Sequence, residues 1–141
     1  MLKKFDPQIK TFRLLAMSAD NESPGRKKNI EWKFGFRKTV QINLLTAVNK
    51  KAPALVEAFV EITVDANCLD DSVGGAKFSA KYKVLFELIG NADESEIDQE
   101  LSEGGDLNYL VDAQASLISF QNFKLLLGSS GFNIGKLGYS I

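Results

Sequence analysis

The stretch "IEWKFGFRKTVQINL", residues 30 to 44, puts its large apolar side chains at every second position. Ile30, Trp32, Phe34, Phe36, Val40, Ile42 and Leu44 carry even numbers; Glu31, Lys33, Arg37, Thr39, Gln41 and Asn43 carry odd ones. Successive side chains of a strand point to opposite faces, so this period demands a long strand with one buried and one wet face. Two later runs repeat it. In "VEAFVEITVDA" the apolar face is Val56, Ala58, Val60, Ile62, Val64 and Ala66, with Phe59 the exception among the polar residues opposite. In "AKFSAKYKVLFELIG" it is Ala76, Phe78, Ala80, Tyr82, Val84, Phe86 and Leu88. The turn-rich "LDDSVGG" between these two suits an antiparallel hairpin, and "NKKAPA" breaks the first run from the second. Three such strands in succession make an antiparallel meander, apolar on one face and polar on the other.

The flanks differ. "IKTFRLLAM", residues 9 to 17, fits a short strand or a helical turn equally, and residues 18 to 29 read as a loop. Residues 91 to 105 are acidic, with Ile97 and Leu101 spaced for a short helical turn. "DLNYLVDAQASLISFQNFKLLLG", residues 106 to 128, reads as a helix with Asp106 as N-cap and Gly128 as C-cap. Strands first and a long helix last predict an α+β fold, an antiparallel meander with the helix on its apolar face. At 141 residues a single domain, 1–141, is expected.

Composition narrows the function. The chain has no histidine, which removes Ser-His-Asp and Cys-His catalysis and zinc sites with imidazole ligands. Cys68 stands alone, as in a reducing compartment, and cannot build a Cys-rich metal site. Ser116, Ser119, Ser129 and Ser130 have no evident base, "GSSGFNIG" follows a helix rather than opening one, and the acidic run lacks a calcium-loop pattern. No enzyme activity, metal or cofactor is expected. A formal net charge of −1 gives no reason to expect nucleic acid, and Arg26-Lys27-Lys28 reads as a solvated loop. No apolar run spans a bilayer and no apolar h-region follows "MLKK", so no membrane insertion and a cytoplasmic location are expected.

What remains is apolar surface, including 10 Phe, in excess of what one helix can cover. The order of elements resembles the SecB-like chaperone family, in which a long strand opens on an acidic-Trp pair, two antiparallel strands follow, and a long helix comes last. Here Glu31-Trp32 and "FRKTVQINLLTA" resemble the first of these, "VEAFVEITVDANCL" and "AKFSAKYKVLFELIG" the next two, and "YLVDAQASLIS" the start of the helix. The likeness runs over about residues 30 to 120. The family's helix opens on Cys-Pro and a Leu-Phe-Pro-Tyr-Ala-Arg run, of which "DLNYLVDAQ" keeps only Ala113.

The resemblance implies a chaperone that holds unfolded or aggregation-prone protein clients without ATP, in one branch an antitoxin of a toxin–antitoxin–chaperone module. The apolar face in excess of what one helix can cover leads to the expectation of a homo-oligomer, a dimer or a dimer-of-dimers tetramer. The expected client-binding side chains are Trp32, Phe34, Phe59, Tyr109, Leu110 and Phe123. On the long strand, Trp32 and Phe34 are expected to be partly accessible while Val40, Ile42 and Leu44 are buried. The alternative is a structural or interaction subunit that uses the same apolar surface only for self-assembly.

Overall fold

A computed structural model of the chain describes residues 6–21, 32–45, 54–68, 76–89, 94–102 and 104–129. The elements are β1 (Asp6–Asn21), β2 (Trp32–Leu45), β3 (Leu55–Cys68), β4 (Ala76–Ile89), α1 (Glu94–Leu101) and α2 (Asp106–Ser129). The three alternating runs of the sequence are β2, β3 and β4, paired antiparallel in that order. β1 adds to the far side of β4, giving one four-stranded sheet of order β1-β4-β3-β2, the order of a Greek key. The hairpin expected at residues 69–75 lies outside the described residues.

Burial follows the period-two pattern on the two central strands. Across β3 and β4 the inward pairs are Val56↔Phe86, Ala58↔Val84, Val60↔Tyr82, Ile62↔Ala80 and Val64↔Phe78, and every member is sealed from solvent. Most pairs set a larger side chain opposite a smaller one, which keeps the layer level enough for a helix to lie on it. α2 supplies that helix. Leu107, Val111, Ala115, Phe120, Phe123 and Leu127 face the sheet and complete the core, with Ile97 of α1. The fold is α+β, an antiparallel sheet with the C-terminal helix on one face.

The edge strand β2 is covered less than its sequence suggests. Val40, Ile42 and Leu44, expected to be sealed, are half-buried. Length explains this: a helix of 24 residues spans about 36 Å at about 1.5 Å per residue. Strands of 14 residues run longer than that, at about 3.3 Å per residue, and lie side by side. One helix therefore seals the middle of the sheet and only overlaps its edges.

β1 settles the ambiguity at residues 9 to 17 in favour of a strand. It runs four residues into the expected loop, since Ser18–Asn21 pair with Ser79 back to Ala76. Two boundary expectations also change. Gly128 falls inside the last turn of α2 rather than capping it. Asp106 is the first helical residue, and Gly105 takes the cap position: its carbonyl accepts the amide of Tyr109 at 3.1 Å. The Asp106 amide donates to the Glu100 carboxylate at 3.3 Å, so an acidic side chain from α1 meets the positive end of α2.

Candidate functional site

The apolar surface left uncovered gathers on β1. Side chains opposite one another in an antiparallel pair share a face, so partners of the buried β4 residues lie on the helix side of the sheet. By this rule Pro7, Ile9, Phe12, Leu14, Met17 and Ala19 form the helix-side row of β1. Pro7 is buried, and Phe12 is tied down by a stacked contact with Tyr82, ring centroids 5.3 Å apart. Ile9, Leu14 and Met17 are not: 41%, 44% and 52% of their surface is exposed. Leu15, at a register shift between Leu14 and Ala16, is 49% exposed. β1 is an edge strand, so this apolar row runs beside main chain that no other strand pairs with among the described residues.

Between the end of β1 and the end of α2 lies a narrow cleft. Met17 and Ala19 form one wall, Leu126 and Leu127 the other, with Phe78 and Phe123 below. Its volume is only about 10 Å³, room for one water at most. At this end the space between sheet and helix is therefore closed.

The outer face of the sheet is polar and open. One depression of about 300 Å³ is lined by Arg37, Thr39, Glu61, Thr63, Lys77 and Ser79. A second, of about 240 Å³, shares Thr39 and Glu61 and adds Leu15, Phe59 and Lys81. Phe59 pairs across the strands with Lys83, whose ammonium sits 6.0 Å from the ring centroid and 3.6 Å from the Glu57 carboxylate. That cation over the ring makes Phe59 a tolerated aromatic on a wet face.

Two polar groups reach into the helix–sheet layer. Tyr82 is buried, and its hydroxyl donates to Asn122 Oδ1 at 3.0 Å; burial pushes its pKa from 10.0 to about 12. Lys38 sits at an even position of β2, opposite Ile62, and so turns inward. Its Nζ donates to Ser116 Oγ at 2.9 Å and lies 3.6 Å from Asp112 Oδ1, while Ser116 donates to the same carboxylate at 3.0 Å. The sequence signal for it was present: Lys38 is the charged residue in an otherwise apolar even row.

Of the side chains expected to bind a client, the four that are described do not share one surface. Phe123 is core, 1% exposed, because it follows Phe120 and precedes Leu127 on the sheet-facing side of α2; its accessible role is corrected accordingly. Phe59 is half-buried on the opposite face of the sheet. Tyr109 is 73% exposed and Leu110 half-buried near the start of α2. Trp32 and Phe34 begin β2, in register with Cys68 and Ala66, and their side chains lie outside the described residues. The exposed residues that sequence reasoning missed are those of β1. Leu117 and Leu125, 47% and 73% exposed on α2, were likewise outside the expected set. Tyr109, Leu117 and Leu125 are eight residues apart in turn, so they wind around the helix and form no single stripe.

Among the described residues no group of three or more His, Cys, Asp or Glu is placed to hold a metal ion. No helix among them is long and apolar enough to cross a membrane. No family model and no curated protein matches the sequence. Among solved structures, the chain is similar to a SecB-like chaperone of Mycobacterium tuberculosis in complex with a ChAD peptide from the HigA1 antitoxin. The TM-score is 0.44 at 15% sequence identity, over 89% of this chain and 84% of that chain.

Proposed function

We propose that this chain is an ATP-independent holding chaperone, taking an extended apolar segment of an unfolded or aggregation-prone protein along β1. The observation that carries the reading is the exposed row Ile9, Leu14 and Met17 beside a strand edge that no other described strand pairs with. An added strand gains main-chain hydrogen bonds from the edge and inserts alternate side chains along the row. Each apolar side chain so buried contributes roughly 1.5–3 kcal/mol, and ordering a flexible client offsets much of it. A few such contacts give holding that is firm but reversible, as capture and release require. The SecB-like pattern of residues 30 to 120 supports the same reading, and brings a dedicated antitoxin in as one client class. Tyr109 and Leu110, near the start of α2, are secondary candidates beyond the β1 row, and so separately are Trp32 and Phe34 at the start of β2.

The test is suppression of aggregation of a chemically unfolded model protein, without nucleotide, by the full chain and its Leu14→Lys and Met17→Lys variants. Both positions are already about half exposed, so the charges leave the fold intact and circular dichroism stays unchanged. We expect each variant to lose most of the protection, roughly tenfold in the concentration needed, as about one lost apolar contact implies. Folded variants that protect as well as the parent would remove β1 from the reading.

A further inference from the structure

We infer that Lys38 is an edge guard, a charge turned inward at the middle of β2 that closes this edge of the sheet to strand addition. The inference shares one premise with client holding, that the opposite edge β1 accepts a strand, and is otherwise tested by assembly mass rather than by client protection. β2 is the more regular of the two edges. It spans 14 residues, contains no proline, and keeps its register without a shift from Trp32↔Cys68 to Leu45↔Leu55. β1, the opposite edge, has its ladder shifted between Ile9 and Thr11 and again between Leu14 and Ala16. A long, regular edge strand is a template for another chain, and folded proteins blunt such edges with bulges, prolines or inward charges. On β2 the first two are missing and the third is present once, at the seventh of its fourteen positions.

The geometry shows how the guard acts. Lys38 faces the helix side, where its neighbours Phe36 and Val40 are half-buried, and its side chain remains 30% exposed. The paired Asp112 is 42% exposed. Water at the sheet edge therefore still reaches both charges. A strand laid along β2 would remove that water from an ammonium and a carboxylate together, which disfavours the added strand. Arg37 and Thr39, on the outer face, would keep their solvent and oppose nothing. Edge-to-edge growth needs two receptive edges, so a chain with β2 closed forms finite assemblies rather than filaments.

The experiment follows the weight-average mass of the full-length chain by light scattering, with infrared detection of intermolecular sheet. Lys38→Met removes the charge at similar length, and Lys38→Gln removes it while keeping a donor for Ser116. Both are expected to elongate, with mass rising roughly tenfold or more over the parent, because the template edge is then unguarded. Val40→Lys placed in the Lys38→Met chain moves the charge one pleat along and is expected to restore the parent's mass. Ser116→Ala keeps the ammonium but loses its hydrogen bond, and is expected to stay at the parent's mass. The inference fails if both neutral variants remain at that mass, folded or unfolded. It fails equally if Ser116→Ala elongates as they do, since loosening of α2 rather than loss of charge would then drive growth.

Discussion

Tyr82 shows what a single buried polar group does here. Its ring is sealed between Phe12 and the core, and its hydroxyl has Asn122 as partner, so the neutral phenol is the form that fits. The folded-state pKa of about 12 lies above the ordinary 10.0, so the folded chain holds this proton more tightly than the unfolded one. The stability it contributes is complete below about pH 10 and is lost as pH rises toward 12. Denaturant unfolding across that window should show a falling midpoint in the parent. In Tyr82→Phe the fall should be smaller, from a neutral-pH stability lowered by about 1–2 kcal/mol for the unpaired Asn122 oxygen. An equal alkaline fall in both chains would assign the effect to other groups. Lys38 is the complementary case. Period-two reading marks positions by polarity and passes over one charge in an apolar row, and only the strand order, which makes β2 an edge, gives that charge a meaning.

At the scale of elements, the meander was legible because its period is unbroken over many residues, and the long helix because apolar residues recur near helical spacing along it. β1 was not, for a physical reason. Its two register shifts put the helix-side residues at 7, 9, 12, 14, 17 and 19, steps of two and three that fit neither a strand nor a helix cleanly. A bulge inserts a residue on one strand only, so the partner that defines the face cannot be read from that strand alone. The exposed apolar row proposed to take a client sits on this element, which is why the candidate site was less legible than the fold. The turn between α1 and α2 offers a local test. Gly104 has φ of +89°, with open space around an added Cβ, whereas a Cβ on Gly105 would collide with the Glu100 carbonyl oxygen of α1. Gly104→Ala should cost about 1 kcal/mol of strain, the usual price of a left-handed non-glycine residue. Gly105→Ala forces the end of α1 to move and should cost more, about 2–3 kcal/mol. Thermal melts that rank the two the other way would mean that α1 yields freely.

For the whole molecule the decisive fact is that, among the described residues, one face of the sheet is covered, and by a helix that carries apolar residues on both of its sides. Leu107, Val111 and Phe123 face the sheet, while Tyr109, Leu117 and Leu125 face away. Large apolar residues on the outer side of a helix are ordinarily covered, which is the reason to expect that copies of this chain associate. The apolar row of β1 is the other surface such association would cover. Two uses then compete for β1, a second copy and a client, and one row cannot serve both at once. We therefore expect the weight-average mass to exceed that of a monomer at on the order of tens of micromolar, as symmetric closure over apolar surface predicts. Across the same titration, client held per chain should fall as the mass rises. Met17→Lys should lower both quantities together, whereas Leu125→Lys should lower the mass alone. A mass that stays monomeric would dismiss association outright. A rising mass with constant client per chain would place the client elsewhere, and the open depression beside Leu15 and Phe59 would be the surface to probe next.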